Sequence, residues 1–355
     1  MQKNNFLKVY KNKKILITGS TGFKGSWLSF WLYNLGAKII GVGLKPENGA
    51  ILYKTLKIDK LINQYYFDIT NFRKLNNLIK KNKPDIIFHL AAQSIVSEGY
   101  NNPLKTIESN TLGSANILES TRINKIKNLV YITSDKCYLN VEKNSGYKET
   151  DTLGGYDNYS SSKAAAELIF NSYYHSFFKD NKLKHATARA GNVIGGGDMK
   201  KNRIIPDVIR SIKKNNKIFL RNPNSTRPWQ HVLEPLYGYL KLGSYLVTKQ
   251  LKNLENPNWN FGPYKKNCVK VKKIVSLIHK KLSLKNKIKI NRKVKFKEAT
   301  LLSLKIDKAK KELKWQPKLT LKETINLTID WYLSYLDKKN MSKFTKSQIE
   351  FFLKK

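Results

Sequence analysis

Short runs of consecutive apolar residues alternate with longer stretches of helical periodicity through the first half of the chain. This is the pattern of a parallel sheet covered on both faces. Strands are predicted over 14–18, 38–42, 85–90, 129–133 and 185–190, and helices over 23–35, 71–80, 104–124 and 159–179. Beyond Gly191 the pattern turns irregular. A Gly195-Gly196-Gly197 loop, a helix over 206–214 and turn signals at Asn222-Pro223 and Arg227-Pro228 precede helices over 271–282 and 321–336. The fold class predicted is α/β: a Rossmann-type doubly wound parallel sheet over 1–190, to which part of 229–263 returns. A smaller domain over 191–338 follows, then a basic tail over 339–355 with apolar Phe344, Ile349, Phe352 and Leu353.

Charge changes this picture less than its size suggests. The 355 residues carry a formal charge of +42, a value that raises nucleic acid or a membrane surface as partner. Only 8 of the 67 basic residues are arginine, however, and the lysines run through nearly every segment. A site reading phosphate or base edges favours forked guanidinium groups in one patch, so a non-catalytic nucleic-acid-binding protein is the distant alternative. No secretory-signal pattern and no apolar run long enough for a bilayer is present, and the two cysteines, Cys137 and Cys268, have no metal-site spacing. The expectation is a cytoplasmic protein with no metal and no membrane contact.

The candidate chemistry lies at the strand ends. The first strand runs into Gly19-Ser20-Thr21-Gly22-Phe23-Lys24-Gly25, where glycine lets the backbone turn tightly and approach a pyrophosphate at a helix N-terminus. No acidic side chain follows the second strand before Glu47, so the residues alone leave NAD and NADP both open; Asp68 and Ile69 are candidate adenine contacts. Tyr159 and Lys163, four apart, share one helix face, and a nearby ammonium favours a phenolate that exchanges a proton with a sugar hydroxyl. Ser134 follows the strand predicted over 129–133, and His89 is expected to complete the end of its strand.

Together these features resemble the extended short-chain dehydrogenase/reductase family over nearly the whole chain; His89-Leu90-Ala91-Ala92-Gln93 and Asn110 add to the likeness. Thr133-Ser134-Asp135-Lys136-Cys137-Tyr138, the glycine loop through Trp27-Leu28, the segment Ala188 to Asp198 and the segment Arg227 to Pro235 resemble its nucleotide-sugar 4,6-dehydratase branch. That branch commonly has Asp then Glu where this chain has Asp135 and Lys136. The resemblance implies NAD held by Gly19, Thr21, Gly22, Phe23, Lys24, Gly25, Asp68, Ile69, Leu90, Ala91, Ala92, Tyr159 and Lys163. It implies catalysis by Ser134, Asp135 as acid, Lys136 as base, Tyr159 and Lys163, on a CDP-linked glucose. Gln93, Arg189, Asn192, Arg203, Arg221, Arg227 and His231 are the implied substrate contacts. A homodimer or homotetramer joined through the helices over 104–124 and 159–179 is implied as well. A 4-epimerase, or a dehydratase using another nucleotide, is the alternative on the same fold.

Overall fold

The computed structural model describes residues 2–355 apart from 48, 182, 201–202, 214–217, 221, 252–253, 283–287 and 291–299. The strands are β1 (Lys14–Thr18), β2 (Lys38–Gly43), β3 (Asn63–Tyr66), β4 (Ile86–His89), β5 (Asn128–Ile132), β6 (Lys184–Ala190) and β7 (Asn258–Phe261). They form one sheet in the order β7-β6-β5-β4-β1-β2-β3, and every pairing is parallel. Ile15, Ile17, Ile86, Ile87, Phe88, Leu129 and Val130 are fully buried, as continuous apolar strands between two helical layers must be. The order reverses between β1 and β4, and at such a point the loops leaving the strand ends diverge to leave a crevice for a ligand.

The helices that matter here are α1 (Phe23–Asn34), α2 (Gly113–Ile123), α3 (Asn158–Tyr173), α4 (Leu233–Val247), α5 (Leu321–Leu336) and α6 (Met341–Lys354). The helix expected over 104–124 is interrupted by a π-turn over Glu108–Leu112 that contains the buried Asn110. Asn110 Oδ1 accepts the Gln93 N–H at 2.8 Å and its Nδ2 donates to Ser162 Oγ at 2.9 Å. The π-turn thus spends helical regularity on a tie between the β4 loop and α3. The helix expected over 159–179 likewise ends as a π-turn, Tyr174–Phe178.

Past β6 the chain contributes to both layers. Helix α4 packs on β5 and β6, and β7 extends the main sheet through Trp259 beside Ala188. The short pairs Val193–Ile194 with Gln230–His231, and Thr226–Pro228 with Cys268–Lys270, stand over the strand ends. The segment expected as a tail is the helix α6. Its Met341, Ile349 and Phe352 are buried in the common core, with Phe352 set edge-on to Trp31. The spacing of those apolar residues already fitted one helix face; the lysines between them lie on the other side.

Candidate active site

The loop after β1 needs glycine at two places for different reasons. Gly19 has φ +75°, and a Cβ there would lie 2.7 Å from the Ala91 nitrogen; a Cβ on Gly25 would lie 2.0 Å from the Gly19 carbonyl oxygen. The first fixes how closely the β1 and β4 loops approach, the second how closely α1 sits on its own loop. Ala91 N–H donates to Thr18 Oγ1 at 3.2 Å and Leu90 N–H to the Thr18 carbonyl at 3.0 Å, so Leu90, Ala91 and Ala92 flank the glycine loop. His89 is part of this joint. Its Nδ1 lies 2.7 Å from Thr18 Oγ1 and its Nε2 3.3 Å from Ser114 Oγ, and burial pushes its pKa down to about 3.

These residues fit a dinucleotide: the cradle is one that any side chain at Gly19 or Gly25 would fill, opening onto the N-terminus of α1. Asp68 stands at the rim of the crevice, paired with Lys105 at 3.3 Å. The Ile69 side chain is packed in the core, where it meets Gly113. Lys24, read from sequence as a cofactor contact, has its Nζ 6.0 Å from the centre of the Tyr239 ring. Burial above all, then the charge of Arg203, brings its pKa down to about 8, with Asp135 opposing. Its ammonium therefore lies within electrostatic reach of Asp135.

Tyr159 and Lys163 share the buried face of α3, whose N-terminus is capped by Asp157: its carboxylate accepts the Ser160 N–H at 2.9 Å and the Ser160 hydroxyl at 2.7 Å. The sequence predicts a lowered phenol pKa, and the protein shows the reverse. Burial pushes Tyr159 up to about 12, and the hydrogen bond with Ser134 only partly offsets it. Burial also lowers Lys163 to about 8, with Lys24 as a second cause. Desolvating both groups disfavours the charged form of each.

Facing them, Ser134 caps a 3₁₀ turn, Asp135–Cys137, at the end of β5. Its Oγ accepts the Lys136 N–H at 3.2 Å and donates to Asp135 Oδ1 at 3.0 Å. Asp135 is buried, its Oδ2 has no hydrogen-bond partner among the described residues, and burial holds its carboxyl above the usual range against Lys136, Ser134, Arg227 and Lys24. That is the environment of a proton donor. Lys136 is half-buried beside it.

The expected substrate contacts divide. Arg203 bridges Asp198 Oδ2 at 2.6 Å and Ser94 Oγ at 2.8 Å, and its charge acts on Tyr159, so it borders the reaction centre. Arg227 lies close enough to Asp135 to act on it and donates to the Thr226 carbonyl at 3.0 Å. Asn192 is half-buried at the rim, its carbonyl accepting the Gln230 N–H at 3.1 Å. Gln93 folds back on its own loop, donating to Thr106 Oγ1 and the Ile95 carbonyl, each at 3.0 Å. Arg221 lies outside the described residues.

Two expectations are corrected. Arg189 is 1% exposed and forms a 2.7 Å ion pair with Glu167, which is 0% exposed, so its guanidinium is used inside the core and does not reach a phosphate. His231 is fully buried against Trp27, and burial pushes its pKa down to about 3, so it offers a nucleotide neither charge nor contact. Missed from sequence were Glu167, Tyr138 and Tyr239. Glu167 follows Lys163 by four residues on the same helix face, and that spacing was the available signal.

Comparison with known proteins agrees with this geometry. The profile of the GDP-mannose 4,6 dehydratase family matches residues 16–328, and the chain belongs to this family. CDP-glucose 4,6-dehydratase of Salmonella typhimurium is 40% identical over 346 residues, covering 96% of either chain. An epimerase of Methanothermobacter thermautotrophicus superposes with a TM-score of 0.81 at 22% identity, over 94% of this chain and 96% of that one. The dTDP-glucose 4,6-dehydratase of Bacillus anthracis, solved in complex with NAD, gives 0.76 at 22% identity over 93% and 99%. At that identity the two structures speak for the fold.

Proposed function

We propose that this protein is an NAD-dependent nucleotide-sugar 4,6-dehydratase that converts CDP-glucose to CDP-4-keto-6-deoxyglucose and water. The observation that carries the reading is a buried Asp135, its carboxyl raised by burial, beside Lys136 and set across from Tyr159 and Lys163. A 4-epimerase needs only the second pair. The likeness to the Salmonella enzyme over 96% of the chain supports CDP as the nucleotide.

Bound NAD supplies oxidation at C4 and the matching reduction at C6, so it ends as it began. Gly19, Gly22, Gly25 and the Leu90 to Ala92 loop would hold it, together with Thr21, Phe23 and Asp68. Tyr159, as the phenolate that the Lys163 ammonium stabilises, takes the proton of the C4 hydroxyl and becomes the phenol. The C4 ketone acidifies C5–H. Lys136, as the neutral amine, removes that proton while the protonated Asp135 gives its own to the C6 hydroxyl, which leaves as water. A proton returns to C5 as C6 is reduced. Arg203 and Arg227 stand where the diphosphate and sugar enter, since a guanidinium can grip two phosphate oxygens at once.

Exposed Leu104, Ile107, Leu112 and Leu168 lie on adjacent helical segments, and apolar exposure of this kind supports a homodimer or a dimer of dimers formed through α3. A cytoplasmic location fits, and among the described residues no helix is long and apolar enough to cross a membrane. The test is incubation of purified protein and NAD with CDP-, UDP-, GDP- and dTDP-glucose. Loss of water from CDP-glucose with formation of a 4-keto sugar is expected. A product of unchanged mass, or turnover of another nucleotide sugar alone, overturns the assignment.

A further inference from the structure

The segment that carries Asp135 and Lys136 is fastened at both ends to the partners of one buried ion pair. At its start, Thr133 Oγ1 donates to Glu167 Oε1, and Thr133 N–H continues the sheet ladder to the Ala188 carbonyl at 3.1 Å. At its end, Tyr138 OH accepts from Arg189 Nη1 at 2.7 Å and donates to Asn260 Oδ1 at 2.8 Å. Arg189 Nη2 closes the loop on Glu167 Oε2 at 2.7 Å; Thr187 Oγ1 donates to the same oxygen at 3.1 Å, and Arg189 Nη1 also donates to the Glu149 carbonyl at 3.0 Å. Glu167 sits on α3, four residues past Lys163 and eight past Tyr159. The helix with the first catalytic pair and the turn with the second therefore share one anchor.

We propose that the Glu167–Arg189 pair is a positioning device for water elimination, holding the Asp135–Lys136 turn in register with Tyr159. A buried ion pair is a poor source of net stability beside apolar residues of the same volume, and its best-attested use is to specify one arrangement. Asp135 needs that service. Among the described residues its one hydrogen-bond partner is Ser134 on the same turn, and its Oδ2 has none, so the direction of the carboxyl follows the turn backbone. Tyr159 and Lys163 depend on it less, because α3 is also fixed by the Asp157 cap and by the Asn110–Ser162 bond.

This rests on the assignment of Asp135 and Lys136 to elimination, so the experiment separates the two. Wild type, Tyr138→Phe, Thr133→Val and Asp135→Asn are mixed with NAD and CDP-glucose in single turnover and quenched with acid. The sugar nucleotides are then weighed: loss of two hydrogens marks oxidation, loss of water marks elimination. Tyr138→Phe deletes the hydroxyl that joins Arg189 to Asn260, and Thr133→Val deletes the bond to Glu167. Each is expected to slow water loss by about 10- to 100-fold, the scale of a misplacement near 1 Å, while oxidation and KM stay within about two-fold of wild type. Equal slowing of both steps, or of neither, in the two variants overturns the proposal. Full elimination by Asp135→Asn instead overturns the assignment on which it rests.

Discussion

Tyr159 and Lys163 stand on a 16-residue helix with a side-chain cap, whereas Asp135 and Lys136 stand on a three-residue turn. The helix brings its own regularity: a spacing of four places both side chains on one face whatever lies beneath. The turn brings none, and the bearing of its acid is set by bonds to residues distant in sequence, Glu167, Arg189 and Asn260. The proton-transfer pair shared with other family members is thus built locally. The pair to which we assign the elimination is built tertiarily.

The comparison can be broken at either support. The largest effect is expected from Tyr159→Phe, which removes the group that takes the C4 proton. It should lower kcat by about 10³-fold or more, with neither oxidised nor dehydrated sugar after quenching and an unchanged circular dichroism spectrum. Next is Glu167→Ala, which strands the buried Arg189 charge. A loss of about 3–5 kcal/mol in urea denaturation is expected, against less than about 1 kcal/mol for Lys105→Ala in the exposed pair with Asp68.

A third test lies away from the site, at Glu234, the residue after Leu233 in the motif that carries Arg227. Its Oε1 accepts the Lys318 and Leu319 N–H groups at 2.8 and 2.7 Å, yet burial pushes its pKa up to about 7. A carboxyl raised on folding binds more protons in the native than in the unfolded protein between its ordinary value and about 7. It therefore costs stability progressively as pH rises through that window, and the full cost stands above it. Glu234→Gln should gain on wild type from pH 5 to pH 8, by on the order of 3 kcal/mol at most in denaturant midpoints. The smallest effect is expected from Asp157→Ala: loss of the α3 cap should cost about 1 kcal/mol and lower the oxidation step more than Tyr138→Phe does.

How much of this could be read from the chain follows the same division. The sheet and its glycine loop were legible because apolar runs and glycine spacing are local signals, and so was the Tyr159–Lys163 face. The acid and base were legible as a motif, their support was not. Arg189 looked like a phosphate ligand because it is one of few arginines beside a strand end. Its true partner lies across a strand–helix contact that no periodicity encodes. His231 misled for a similar reason: a polar residue next to Arg227 reads as a surface group until the packing of Trp27 is known. The terminal residues 339–355 read as a tail because five lysines and one acid make them basic, although Met341, Ile349 and Phe352 already spelled one buried helix face.

The most direct test of the division is the acid quench of Lys136→Met and Tyr159→Phe in parallel, in deuterated water with CDP-glucose and NAD. Lys136→Met is expected to yield sugar nucleotide lighter by two hydrogens, still bearing its C6 hydroxyl and taking up no deuterium at C5, while Tyr159→Phe returns unchanged substrate. Full water loss with deuterium at C5 in Lys136→Met, or an oxidised sugar from Tyr159→Phe, would contradict it.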